Sequence, residues 1–255
     1  MRIVWITLLI PFILAASDVP VVVPVPAEKP AGEAAEKAPP GETPAEADEA
    51  AEDREDAEPP EPVDPPPSPP DEAALAACEA QLKSLGSVFE RNEPIDGPGT
   101  CGMSATYQVS EIVRGIALAP DTQMRCATAL ATARWIDEVV IPAAKVLGDD
   151  VRLTGIRQAS TYACRNRNSQ ADTKISEHAK GNAIDVATFD FEGHDPLSIA
   201  PDQRKGSREK SFQMAVRAGA CLHFTTVLGP GADAYHDTHL HLDLAKRRGG
   251  YRLCQ

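Results

Sequence analysis

No CxxC pair occurs among the six cysteines of this 255-residue chain, which argues against a thiolate zinc site. No apolar stretch comfortably spans a bilayer: the N-terminal run Ile3–Ala16, "IVWITLLIPFILAA", is short and interrupted by Pro11. No cysteine follows that run, which argues against lipoprotein modification there. There is no internal repeat, and helical and strand patterns do not alternate in regular βαβ order. Basic residues are scattered rather than clustered, so nothing points to nucleic-acid binding.

What is present divides the chain in three. Arg2, the short apolar core and the small residues Ala15–Ala16–Ser17 read as a secretory signal over residues 1–17. Its cleavage is expected to leave a protein of the bacterial cell envelope, periplasmic or otherwise exported, with no stable membrane insertion. Residues 18–72 hold 15 of the 23 prolines, and 17 acidic residues against three basic ones, Lys29, Lys37 and Arg54. Low hydrophobicity with like charge cannot offset chain entropy, so this Pro/Ala/Glu-rich segment is expected to be a disordered linker. Residues 73–255 then balance 21 basic against 21 acidic side chains, so the net charge of −13 belongs to the linker. This remainder is long enough for one domain with a sizeable core. All the cysteines (Cys78, Cys101, Cys126, Cys164, Cys221 and Cys254) fall within it. Behind a secretory signal they predict up to three disulfides, with the pairing open. Oligomeric state is not legible.

Local patterns give a coarse outline. Asp71–Leu85 has an acidic start and helical apolar spacing, with Gly86 as a stop. A turn at Asp96–Gly102 precedes a strand near Ala105–Ile112. Asp121 is expected to cap a long helix running through Met124, Leu130, Trp135 and Val139, bent or ended near Pro142. Val151–Tyr162 reads as one or two strand pieces, Asn182–Phe189 as a strand and Ser211–Leu222 as a short helix. The expected class is α+β, with a small antiparallel sheet flanked by helices.

Two stretches carry the chemistry. In "HDTHLHLDL", His236–Leu244, alternation is strict from His239 onward. In a strand this puts His239, His241 and Asp243 on one face and Leu240, Leu242 and Leu244 on the other. In "SEHAKGNAID", Ser176–Asp185, Asp185 points away from the apolar Ile184 and Val186. If the two strands are neighbours, Asp185 and His241 converge, and the turn at Lys180–Gly181 returns His178 over them. Two imidazoles and one carboxylate with an open position match catalytic rather than structural zinc. The expected ligands of Zn2+ are therefore His178, Asp185 and His241. His239 is expected as the base, and His236 could orient the intermediate, with their division of labour open. His194 and His223 read as ordinary surface or core histidines.

Together the two motifs resemble the LAS-type zinc peptidases of bacterial cell walls: D-alanyl-D-alanine dipeptidases and carboxypeptidases, and the penicillin-insensitive murein endopeptidase. The signature S-x-H-x-x-G-x-A-x-D is carried here by Ser176, His178, Gly181, Ala183 and Asp185. Where the dipeptidases have a Glu base this chain has Thr238, whereas His236, His239 and His241 reproduce the H-x-x-H-x-H of the murein endopeptidase. A broader resemblance, through Cys126, Trp135, "STYACRNRN" at Ser160–Asn168 and Tyr251–Cys254, is to the bacterial extensin-like C-terminal domain family. These resemblances imply a LAS/hedgehog-type metallopeptidase fold acting on peptidoglycan peptides. By the same likeness Arg165 is catalytic or substrate-binding, stabilising substrate or oxyanion, and Ser176 contacts substrate or caps the turn. The competing expectation is a zinc-containing, non-catalytic wall-binding or structural domain.

Overall fold

The computed structural model describes residues 69–170, 173–203 and 205–255. The expected signal, and the linker apart from residues 69–72, lie outside them. The chain opens on α1 (Glu72–Leu85), whose first amides are capped by the Asp71 carboxylate and whose end turns through left-handed Gly86. β1 (Val88–Asn92), β2 (Ile95–Asp96), β3 (Gly102–Met103), β4 (Thr106–Val113) and β5 (Ile116–Ala119) follow. α2 (Cys126–Trp135) continues through a π turn, Ile136–Val140, into the short α3 (Ile141–Ala144). β6 (Arg152–Ser160), β7 (Ala183–Glu192) and β8 (Leu197–Ser198) precede α4 (Arg208–Ala220), and β9 (Thr226–Leu228), β10 (Leu240–Asp243) and β11 (Leu253–Cys254) close the chain.

The expectation of a small antiparallel sheet is corrected. Nine strands form one sheet in the order β1-β4-β5-β6-β7-β10-β9-β11, with β8 against β7, while β2 and β3 pair separately. Most pairs are antiparallel, but β5·β6 and β9·β11 are parallel. The helical segment 126–144 is the reason for the first: it carries the chain back so that β6 runs beside β5 in the same direction.

The long helix also starts later than expected, at Cys126 rather than after Asp121. Thr122 and Met124 are taken by β4 instead. The Val109 amide donates to Thr122 Oγ1 at 2.8 Å, and Tyr107 and Met124 exchange backbone hydrogen bonds of 2.9 and 3.2 Å. At the other end the π turn lies just before Pro142, whose ring has no amide to complete the regular ladder. This helix packs Trp135 into the centre of the core. Its indole donates to Val216 O of α4 at 2.9 Å, and its ring meets Phe189 and Phe224 edge-on.

Ile184 and Val186 of β7 and Leu240 and Leu242 of β10 belong to the same buried cluster. The helices thus cover one face of the sheet, and the polar residues that alternate with these four are left on the other.

All six cysteines are paired, as Cys78–Cys126, Cys101–Cys164 and Cys221–Cys254. Such pairing marks an extracellular or periplasmic protein. Among the described residues, no helix is long and apolar enough to cross a membrane.

Candidate metal centre

A 3₁₀ turn, Glu177–Lys180, delivers His178. Ser176 Oγ accepts from the His178 amide at 3.3 Å, and Gly181 ends the turn at φ +63°. Glycine suits that position for two reasons: the left-handed backbone, and a Cβ there would lie 2.6 Å from Met103 Sδ and Cε. The Gly181 carbonyl is held by the Arg125 amide and by Thr128 Oγ1, each at 2.9 Å. From here the chain enters β7, where Asp185 stands directly opposite His241 of antiparallel β10.

The three side chains meet. His178 Nε2 lies 3.2 Å from Asp185 Oδ1 and 3.1 Å from His241 Nδ1, and His241 Nδ1 lies 2.9 Å from Asp185 Oδ1. Corners of a tetrahedron drawn around zinc at ~2.0–2.1 Å are about 3.3 Å apart, so the triangle is the right size. Among the described residues this is the group of histidine, cysteine and carboxylate side chains whose ligand atoms all lie within 4.8 Å of one another. His178 and Asp185 are buried.

The outer atoms of both rings say which inner atoms carry lone pairs. His178 Nδ1 lies 2.6 Å from the Thr161 carbonyl, which can only accept, so that nitrogen holds the proton. His241 Nε2 lies 3.1 Å from Asp243 Oδ2 and donates to it. In the neutral rings, His178 Nε2 and His241 Nδ1 therefore both turn lone pairs toward the Asp185 carboxylate. Three acceptors converging on one buried point call for a cation.

The electrostatics make the same demand. Burial opposes a charge on His241, yet its hydrogen bonds to Asp185 and Asp243 outweigh this and raise the imidazole to about 9. Burial likewise pushes the Asp185 carboxyl up, but the His178 and His241 hydrogen bonds hold it well below the usual carboxylate range. Without metal, a proton on His241 takes the cation's place.

The other residues expected at the site gather around this triangle in a cleft of about 460 Å³. His239 Nε2 is 3.5 Å from Asp185 Oδ1, outside the ligand set, and burial pushes its imidazole down. The buried His236 ring lies 5.3 Å from that of His239 and 5.6 Å from that of His241, and its Nδ1 donates to Asp233 Oδ1 at 2.7 Å. Arg165 and Ser176 line the cleft. His194 and His223 do not; they lie near Glu209 and Glu138 instead.

Several participants carry no assignment from sequence. Strand alternation puts Asp243 on the face of His241, and the HxD spacing between them is the signal of its role. Its Oδ1 also accepts from Thr226 Oγ1 and from the Ala245 amide. Asp233 stands three residues before His236, the spacing of one turn. The Thr161 carbonyl has no sequence signal, because every residue offers a carbonyl.

A family model, that of the extensin-like protein C-terminus, matches residues 76–255. The chain belongs to this family. Comparison with curated proteins gives no match, and neither does comparison with solved structures. The extensin-like span contains all three disulfides and every residue of the triangle, together with His236, His239, Arg165 and Asp243.

Proposed function

We propose that this extensin-like protein is an exported zinc metallohydrolase that cleaves peptide bonds in peptidoglycan stem peptides or cross-links. The observation that carries the reading is the convergence of His178 Nε2, Asp185 Oδ1 and His241 Nδ1 on one point at the floor of an open cleft. The likeness of the two motifs to the wall peptidases supports the substrate class, and the disulfides fit the compartment.

Zinc bound there would supply Lewis acidity, bringing the pKa of water to ~7 and polarising the scissile carbonyl. The remaining tasks fall to the protein. The Thr161 carbonyl and the Asp243 carboxylate hold the two imidazoles in the tautomers that leave their inner nitrogens free. His239, made less basic by burial, stays neutral near pH 7 and accepts a proton at the edge of the triangle. His236 donates Nδ1–H to Asp233, which leaves Nε2 with a lone pair that accepts a hydrogen bond from substrate and so orients the intermediate. Arg165 offers positive charge from the cleft wall, and Ser176 holds the turn that presents His178.

Mass spectrometry of muropeptides after incubation with the purified protein tests the reading. About one zinc per chain is expected, with new peptide termini released by wild type and none by His239→Ala, which keeps its zinc. Zinc-dependent binding to sacculi without new termini would favour a wall-binding module. Full activity and zinc content in His241→Ala would overturn the ligand set.

A further inference from the structure

Four carboxylates and three guanidiniums line the cleft, and they differ in their partners. Each of its carboxylates is already committed: Asp185 to the two imidazoles, Asp243 to His241 and Thr226, Asp233 to His236, and Glu177 to Lys180 and Asn182. The guanidinium groups have no carboxylate partner among the described residues. Arg247 donates to the Thr225 carbonyl and to Thr226 Oγ1, both neutral. Arg165 and Arg167 make no side-chain hydrogen bond or ion pair among the described residues, although both line the cleft.

The backbone explains how these two act together. Residues 165–167 form one side of a short antiparallel ladder with 174–176: the Ser176 amide donates to Arg165 O at 3.0 Å, the Arg167 amide donates to Lys174 O at 2.9 Å, and Asn166 bridges Ile175. Arg165 and Arg167, the latter opening the 3₁₀ turn Arg167–Ser169, both line the cleft on either side of Asn166. The other side of the ladder ends at Ser176, two residues before His178. Two guanidiniums without a carboxylate partner among the described residues thus stand beside the segment that delivers a metal ligand. Planar forks of this kind pair with carboxylates through charge-assisted, often bidentate hydrogen bonds.

We infer that Arg165 and Arg167 form a carboxylate-binding subsite, so that the substrate is a peptide with a free carboxylate on the side of the scissile bond facing residues 165–176. This rests on the peptidase reading and narrows it. Peptides whose carboxylates are free bind; their amidated counterparts are discriminated against.

The test uses the full zinc-loaded protein and two synthetic probes: the pentapeptide L-Ala-γ-D-Glu-L-Lys-D-Ala-D-Ala, and the same peptide with both carboxylates amidated. Calorimetry gives Kd, and mass spectrometry follows hydrolysis. Amidation is expected to raise Kd at least tenfold in wild type. The double variant Arg165→Gln/Arg167→Gln should lose the discrimination, with the ratio of its Kd values for the two probes falling to about one, and should keep its zinc. Equal Kd values for both probes, or a double variant that loses both alike, would overturn the subsite. Hydrolysis without carboxylate preference overturns the subsite but leaves the peptidase reading. Carboxylate-dependent binding without hydrolysis does the reverse, and no binding of either probe overturns both.

Discussion

Asp243→Asn replaces one oxygen by nitrogen at a residue that touches no metal, yet it should cost most of the zinc affinity that the surroundings of His241 provide. Asp243 Oδ1 accepts from the Thr226 hydroxyl and the fixed Ala245 amide, and Oδ2 accepts from His241 Nε2. An asparagine has one oxygen for these two stations. With its oxygen toward Ala245, its NH2 faces His241 Nε2, which must then accept, and the ring proton moves to Nδ1, where the metal lone pair is needed. With its oxygen toward His241, its NH2 opposes the Ala245 amide, leaving a buried donor unsatisfied. Either arrangement weakens the site. Changes at such supporting partners cost roughly 10–100-fold in metal affinity, or about 1.4–2.7 kcal/mol. Competition with a chromophoric zinc chelator reads this directly, and Thr226→Val, which removes only one donor to Asp243, should fall between wild type and Asp243→Asn. A zinc Kd for Asp243→Asn within twofold of wild type, in a protein that unfolds at the wild-type denaturant midpoint, would refute the tautomer assignment.

Three further outcomes are expected. Folding raises His241 from 6.5 to about 9, so in the chelator-treated protein its contribution to stability should be fully present at about pH 6.5 and be lost as pH rises through 9. Zinc-loaded protein, with metal in place of that proton, should lack this loss; urea midpoints at pH 6.5, 7.5 and 9 check it. Gly181→Ala forces a left-handed backbone on an L-residue and displaces the Met103 thioether, and should lower stability by about 1–2 kcal/mol with reduced zinc affinity, both read from denaturant titrations with and without metal. Cys221→Ser/Cys254→Ser opens a bridge spanning 33 positions and should cost about 3–4 kcal/mol in the chain-entropy picture; an unchanged urea midpoint would contradict it.

The triangle was legible because two independent periodicities agree on it. Leu240 and Leu242 alternate with His241, Ile184 and Val186 alternate with Asp185, and alternation is a local property of a strand. Sheet size was not legible: the strand expected near Ala105–Ile112 is present as β4, but β1 and β5 are only five and four residues long, and β5 finds its second partner, β6, beyond the whole intervening helical segment. The late start of α2 has the same origin. Asp121 is a good cap in isolation, but hydrogen bonds from β4 to Thr122 and Met124 hold that stretch extended. The disulfide pairs and the Thr161 carbonyl depend on where segments meet in space, which residue identity does not encode.

The pairing of β7 with β10 sets Leu240 against Val186, His241 against Asp185, Leu242 against Ile184 and Asp243 against Ala183. A slip of one position would bury a carboxylate or an imidazole among the core side chains and drive leucines into the cleft. A slip of two positions would leave the faces correct but set Asp185 opposite His239 or Asp243. Errors in assembling this centre are therefore also errors in packing the interior. A mutant that still packs Leu240 and Leu242 correctly keeps its ligands aligned at no separate cost, so tolerance to mutation at the metal centre is inherited from the robustness of the apolar layer beneath it.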